Sequence, residues 1–124
     1  MEANVKSFRD LKVWQKSIDL VEQVYDLTDQ FPGDELYSIT QQIRRCTVSV
    51  PSNIAEGSAR NSTNDFIRFL HISKGSLAEL ETQIIISRRR NYLSQQDSEH
   101  INHRIQEIDY MLYRLIERLK AKRA

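Results

Sequence analysis

Apolar residues recur at helical spacing in four long segments of this chain, and Pro, Gly, Ser, Asn or Asp residues separate one segment from the next. Around the first, two adjacent stripes run side by side: Leu11, Trp14, Ile18, Val21 and Tyr25 beside Val13, Leu20, Val24, Leu27 and Phe31. Steps of three, four and seven lay one face of a helix from Lys12 to Phe31. Phe31-Pro32-Gly33 stops it, and Asp34 is placed to accept backbone N–H bonds at the start of a second helix from about Glu35 to Arg60. Ser62 followed by Asp65 forms a capping box with Asp in place of Glu. It opens a third helix through Phe66, Phe69, Leu70, Leu77, Leu80 and Ile84 to about Tyr92. Ser94 and Asp97 repeat the device ahead of Ile101, Ile105, Ile108, Met111, Leu112, Leu115, Ile116 and Leu119.

Such helices are roughly 30 to 45 Å long at about 1.5 Å per residue, and connections of a few residues force antiparallel neighbours. The expected fold is all-α: one domain over residues 1–124, an up-down-up-down antiparallel four-helix bundle. Three Gly and two Pro in 124 residues are too little punctuation for a chain built of strands. Within the second helix Pro51 lacks an N–H and crowds the preceding turn, so the helix either kinks or breaks. The rhythm Ile39, Ile43, Cys46, Val50, Ile54 continues across the proline, and a proline kink in helix 2 is the expectation.

Cys46 is the sole cysteine, lies in an apolar stretch and reads as a packed residue in a reducing compartment. No window approaches the ~20 apolar residues that span a bilayer, so the sequence reads as cytoplasmic with no membrane partner. Chemistry has little to work with. His100 and His103 lie one turn apart near Glu99 and Glu107, but a di-iron bundle needs two Glu-x-x-His pairs and further carboxylates. His71 has no Ser, Cys or carboxylate constellation around it, and no Walker, Rossmann, HExxH or CxxC motif occurs. No catalytic residue, metal ligand or cofactor is expected.

Two polar features stand out instead. On the second helix Arg45, Ser49, Ser52 or Asn53, Glu56 and Arg60 recur at steps of three or four, and Arg68, Ser76 and Glu79 share one side of the third. This set reads either as a solvated face with ordinary salt bridges or as a buried hydrogen-bonded seam fixing register between helices or subunits.

The segments FRDLKVWQKS (8–17), QIRRCTVSVPSNIAEGSAR (42–60) and DFIRFLHISKGSLAELETQI (65–84) resemble the bacterial 23S rRNA intervening-sequence protein family, and the Ser-x-Pro-Ser-Asn-Ile-Ala-Glu-Gly block is specific to it. That resemblance covers nearly the whole chain. It implies a four-helix bundle with a continuous kinked second helix, assembled as a homopentamer, and it does not imply an enzymatic activity. Cys46 stands where the family usually carries a small residue such as Ala, a change expected to affect packing alone.

Eighteen Lys and Arg against seventeen Asp and Glu make a formal net charge of +1, so only placement can favour a partner. Antiparallel topology gathers Lys6, Arg9, Lys12, Arg60, Arg68, Arg118, Lys120, Lys122 and Arg123 at one end, against Asp10, Glu56, Asp65 and Glu117. The other end holds Asp26, Asp29, Asp34, Glu35, Asp97 and Glu99 with Arg88 to Arg90. Basic residues at helix C-termini complement the macrodipole without any ligand. The functional alternative is that Lys6, Arg9, Lys12, Arg118, Lys120, Lys122 and Arg123, repeated around a pentamer, bind structured RNA or DNA multivalently. No aromatic is interleaved with these cations in this reading, so recognition of shape or backbone is expected. The competing expectation is a protein–protein scaffold with no nucleic-acid role.

Overall fold

Each helix boundary follows from local chemistry. A computed structural model describes residues 7–123; Lys6 lies outside them. The chain enters through a 3-10 turn, Phe8–Asp10, capped by the Ser7 side chain, and helix α1 runs Lys12–Thr28. It stops three residues before the expected Phe31, because the backbone tightens: Gln30 N–H bonds Leu27 C=O at 3.2 Å and Phe31 N–H bonds Thr28 C=O at 3.1 Å. A second 3-10 turn, Gly33–Glu35, then intervenes before α2, Ile39–Ser58. The expected start near Glu35 is therefore four residues early, and Asp34 caps nothing; it sits within the 3-10 turn. The Tyr92 phenol donates to Glu35 at 3.0 Å, and Ser38 also bonds that carboxylate. Together these bonds, Ser38's the larger in effect, hold the Glu35 carboxyl below its ordinary pKa.

Helix α2 passes through Pro51 without a break. The proline removes the N–H that would have reached the carbonyl four residues back. At this point Ser73 of α3 (Thr63–Arg89) donates a buried 2.9 Å bond to the Val50 carbonyl, tying the proline turn to its neighbour. Both Ser-Asp devices behave as expected: Ser62 accepts from Asp65 N–H at 3.2 Å ahead of α3, and Ser94 from Asp97 N–H at 3.1 Å ahead of α4, Gln95–Arg123. Helix α3 ends at Arg89 rather than Tyr92 because Asn91 adopts a left-handed φ of 63°. Tyr92 N–H then bonds Ser87 C=O and Asn91 N–H bonds Arg88 C=O, both at 2.9 Å, a pairing that satisfies the last carbonyls of the helix.

The four helices close into a ring in which each packs against the next and α1 against α4. Core residues come from every one of them: Leu20 and Val24; Ile43, Val50 and Ile54; Leu70, Leu77, Leu80 and Ile84; Ile101, Ile108 and Leu112. Of the two stripes on α1, the one through Val13, Leu20 and Val24 is the buried one. Tyr25, from the other, is exposed beneath the Arg44 guanidinium, 4.7 Å from its ring centroid. Arg44 also donates to Thr28 Oγ1 and pairs with Asp29, each at 2.9 Å, latching the end of α1 to the start of α2. Phe31 and Tyr92 pack at 5.6 Å between centroids at that same end. At the opposite end Arg123 Nη1 donates to Asn64 Oδ1 at 2.8 Å, joining the end of α4 to the start of α3. The up-down-up-down arrangement is thus fixed by contacts at both ends. Among the described residues there is no strand, and no helix is long and apolar enough to cross a membrane.

Candidate nucleic-acid interface

One end of the bundle is built from the start of α1, the end of α2, the start of α3 and the end of α4, and the expected cations meet there. Arg9, Lys12, Arg118, Lys122 and Arg123 are exposed and Lys120 half-buried. Several are held in place. Arg9 lies 4.7 Å over the Phe8 ring, which packs edge-on to Trp14 at 5.2 Å, and Gln15 Nε2 donates to the Arg9 carbonyl at 2.8 Å. Lys120 lies 3.6 Å from Glu117, one helical turn away. Arg60 and Arg68 flank Phe69, at 5.1 and 4.5 Å from its ring centroid.

The expectation that no aromatic joins these cations is overturned. Tyr110 and Tyr113 are 58% and 51% exposed, with rings stacked at 6.4 Å and 27°, and Arg114 lies 5.9 Å over Tyr110. Tyr110, Arg114, Arg118 and Lys122 follow one another at steps of four on α4, a row legible in the sequence but hidden there among the core residues Met111, Leu112, Leu115 and Ile116. Beside it a groove of about 440 Å³ opens between α4 and the start of α1, with Lys12, Arg114 and Arg118 on its walls.

The polar row divides in two. Ser49 and Ser76 hydroxyls meet at 2.8 Å across α2 and α3, and Asn53 Nδ2 donates to the Ser49 carbonyl and hydroxyl at 2.8 and 2.9 Å. This part is a half-buried interhelical network. Arg45 and Glu79 flank it on a shallow groove of about 310 Å³ that also exposes Gln42 and reaches Cys46 and Gln83. The remaining members face solvent within one chain. Arg60 pairs with Glu56 at 3.0 Å along α2, and Arg68 pairs with Asp65 at 3.7 Å instead of reaching across to α2. Since both Glu56 and Arg60 are about half exposed, Glu56→Ala is expected to change the stability of the isolated chain by less than about 0.5 kcal/mol, as urea unfolding would report.

Cys46 donates to the Ser76 carbonyl at 2.8 Å. Burial, and then the nearby Glu79 carboxylate, push its thiol up to about 12. It is therefore protonated near neutrality, and the thiolate is the reactive form. Iodoacetamide at mildly alkaline pH is expected to leave Cys46 unmodified in the folded protein and to label it fully in denaturant, an outcome intact mass measures directly. Among the described residues no three His, Cys, Asp or Glu side chains are grouped to hold a metal ion. His71, His100 and His103 are exposed.

The match to a family model spans residues 9–114, described as the 23S rRNA-intervening sequence protein. This chain belongs to that family. A solved structure of a protein with unknown function from the S23 ribosomal protein family of Bacteroides thetaiotaomicron VPI-5482 is similar at 26% identity and a TM-score of 0.79. The similarity covers 85% of this chain and 95% of that one, so nearly the whole bundle is shared. No curated protein matches the chain. The matched stretch ends at Arg114, so most of the basic tip of α4 lies outside it.

Proposed function

We propose that this protein is a non-enzymatic homo-oligomer, of five copies as the sequence resemblance implies, that binds structured RNA or DNA in the bacterial cytoplasm through its basic end. The observation that carries this reading is the convergence of Arg9, Lys12, Arg118, Lys120, Lys122 and Arg123 at one end of a chain whose net charge is only +1. Charge so sorted presents phosphates with a local field that the whole-molecule balance conceals. Assembly of several copies would multiply it, because the second and later contacts become intramolecular.

The proposed assembly face is the outer side of α2 and α3, which carries the network of Ser49, Asn53 and Ser76, flanked by Arg45 and Glu79, and on the same two helices the exposed apolar side chains of Val48, Ile72 and Ile86. Glu56, Arg60 and Arg68 would continue it towards the basic end. The same apolar side chains support the second reading, a protein–protein scaffold with no nucleic-acid role.

Protein of verified oligomeric mass, titrated against fluorescent structured RNA and duplex DNA over a series of salt concentrations, tests the proposal. Affinity falling linearly in log–log against salt is expected. Absence of binding to either at low salt overturns it and leaves the scaffold.

A further inference from the structure

We propose that the groove between α1 and α4 holds an unpaired nucleotide of a single-stranded nucleic acid, the base stacked on Tyr110 and the flanking phosphates drawn to Lys12, Arg114 and Arg118. This rests on the reading of the basic end as a nucleic-acid interface and adds to it a mode of recognition and a substrate class, unpaired strand over duplex.

Three observations carry it. The first is exposure without a structural reason. A tyrosine on a bundle surface normally buries its ring and leaves the hydroxyl wet, whereas Tyr110 and Tyr113 leave more than half of their surface outside, side by side with a 27° angle between rings. An exposed aromatic ring accepts any base, since every base offers a π-face in return.

The second is what surrounds the rings. Arg114 already lies over Tyr110, and Lys12 and Arg118 line the same groove, with Asp10 as the single carboxylate among its lining residues. Its apolar parts come from Leu11, Val13, Met111 and Leu115. A groove of about 440 Å³ with an apolar floor and convergent cations falls within the usual size for small-ligand pockets, about 300 to 1,000 Å³, and matches the two halves of a nucleotide. An acidic or purely apolar partner would leave half of it unmatched.

The third is direction. The row Tyr110, Arg114, Arg118, Lys122 descends α4 by one turn per step, so a strand entering at the tyrosine is led about 18 Å, at about 1.5 Å per residue, towards the tip. One stacking ring followed by three cations supplies the two kinds of contact, base stacking and backbone attraction, by which single strands are held.

The experiment uses the full chain in its native oligomeric state with oligo(U) and oligo(dT) of about 12 nucleotides, a length within known single-strand site sizes, and a hairpin-free duplex of equal length. Tyr110→Ala is expected to weaken single-strand binding about 5- to 100-fold while changing duplex binding less than about two-fold, and Tyr110→Phe to retain the single-strand affinity. Because Tyr110 is exposed, both variants should melt with the wild type, and melting curves check this. Quenching of tyrosine fluorescence by oligo(U), lost in Tyr110→Ala, is a second expected signal.

Unchanged single-strand affinity in Tyr110→Ala, with wild-type duplex binding intact, overturns this inference and leaves the basic-end proposal standing. Equal losses for single strand and duplex overturn it likewise, since the ring would then support the surface as a whole. Absence of all binding removes both proposals. RNA and DNA arms that agree point to the base and phosphate, whereas an oligo(U) preference adds a contact to the 2′-hydroxyl.

Discussion

Gly57→Ala is expected to destabilise the bundle by about 2 kcal/mol, while Gly75→Ala is expected to stabilise it by about 1 kcal/mol. The chemical change is identical and both residues lie inside helices, so the sign is decided by what each added methyl meets. At Gly57 it would lie 2.6 Å from Phe69 Cβ, 3.0 Å from the Phe66 ring and 3.3 Å from the Phe66 carbonyl. None of these is the free end of a flexible chain. Phe69 Cβ is fixed to its backbone, so α2 and α3 must separate where Gly57 meets Phe69, and overpacking of that kind costs typically about 1 to 3 kcal/mol, occasionally more. Taking about 3 kcal/mol for it, the roughly 1 kcal/mol that alanine gains over glycine in a helix offsets only part. At Gly75 nothing lies within 4 Å, so the helical gain stands alone.

Urea unfolding of the two variants and the wild type, with unchanged slopes, reads both numbers as shifts in midpoint. A neutral Gly57→Ala would mean that the helices can part at little cost. Gly75 carries a further meaning, because it lies on α3 next to Ser76 and between Ile72 and Glu79, on the proposed assembly face. If Gly75→Ala lowers the oligomeric mass while raising the stability of the dissociated chain, a second subunit approaches the helix backbone there.

How far the sequence reveals these features depends on the range of the interaction behind each. Helical periodicity and Ser-Asp capping act over three or four residues, and they foretell four helices, the start of α3 and the start of α4. The end of α3 is also local, but it rests on the left-handed backbone of Asn91, and the continuing apolar rhythm to Tyr92 masks it. Tertiary geometry is different. Nothing in the spacing of α2 says that Gly57 touches Phe69, or that Arg68 turns back to Asp65 rather than across to Glu56. The cation row was legible as charge at one end of an antiparallel bundle. Tyr110 and Tyr113 were not, because an aromatic beside Met111 and Leu112 reads as core until the helix face is known; only the four-residue steps from Tyr110 to Lys122 carried the signal.

Reversal of the α4 tip, Lys120→Glu with Lys122→Glu and Arg123→Glu, is expected to lower affinity for structured RNA or duplex DNA about 3,000-fold near 50 mM salt. Three lost phosphate contacts flatten the log–log salt slope by about 2.7, and that difference, extrapolated to molar salt, sets the size of the loss. The competing explanation is that these cations merely stabilise their own helix. They occupy the last turn of α4, where positive charge offsets the macrodipole by typically 0.3 to 1 kcal/mol each, and Arg123 also holds Asn64 at 2.8 Å. Reversal therefore carries a stability cost that could lower binding indirectly. Arg88 and Arg89 supply the control, since they occupy the last turn of α3 at the opposite end of the bundle. Their reversal incurs the same kind of helix penalty and two-thirds of the change in net charge, without touching the basic end. If tip reversal abolishes binding and Arg88→Glu with Arg89→Glu spares it at matched stability, placement of charge is the determinant. Equal losses from both would make the interaction a response to total charge, and the sorting of cations to one end would then reflect helix termini alone.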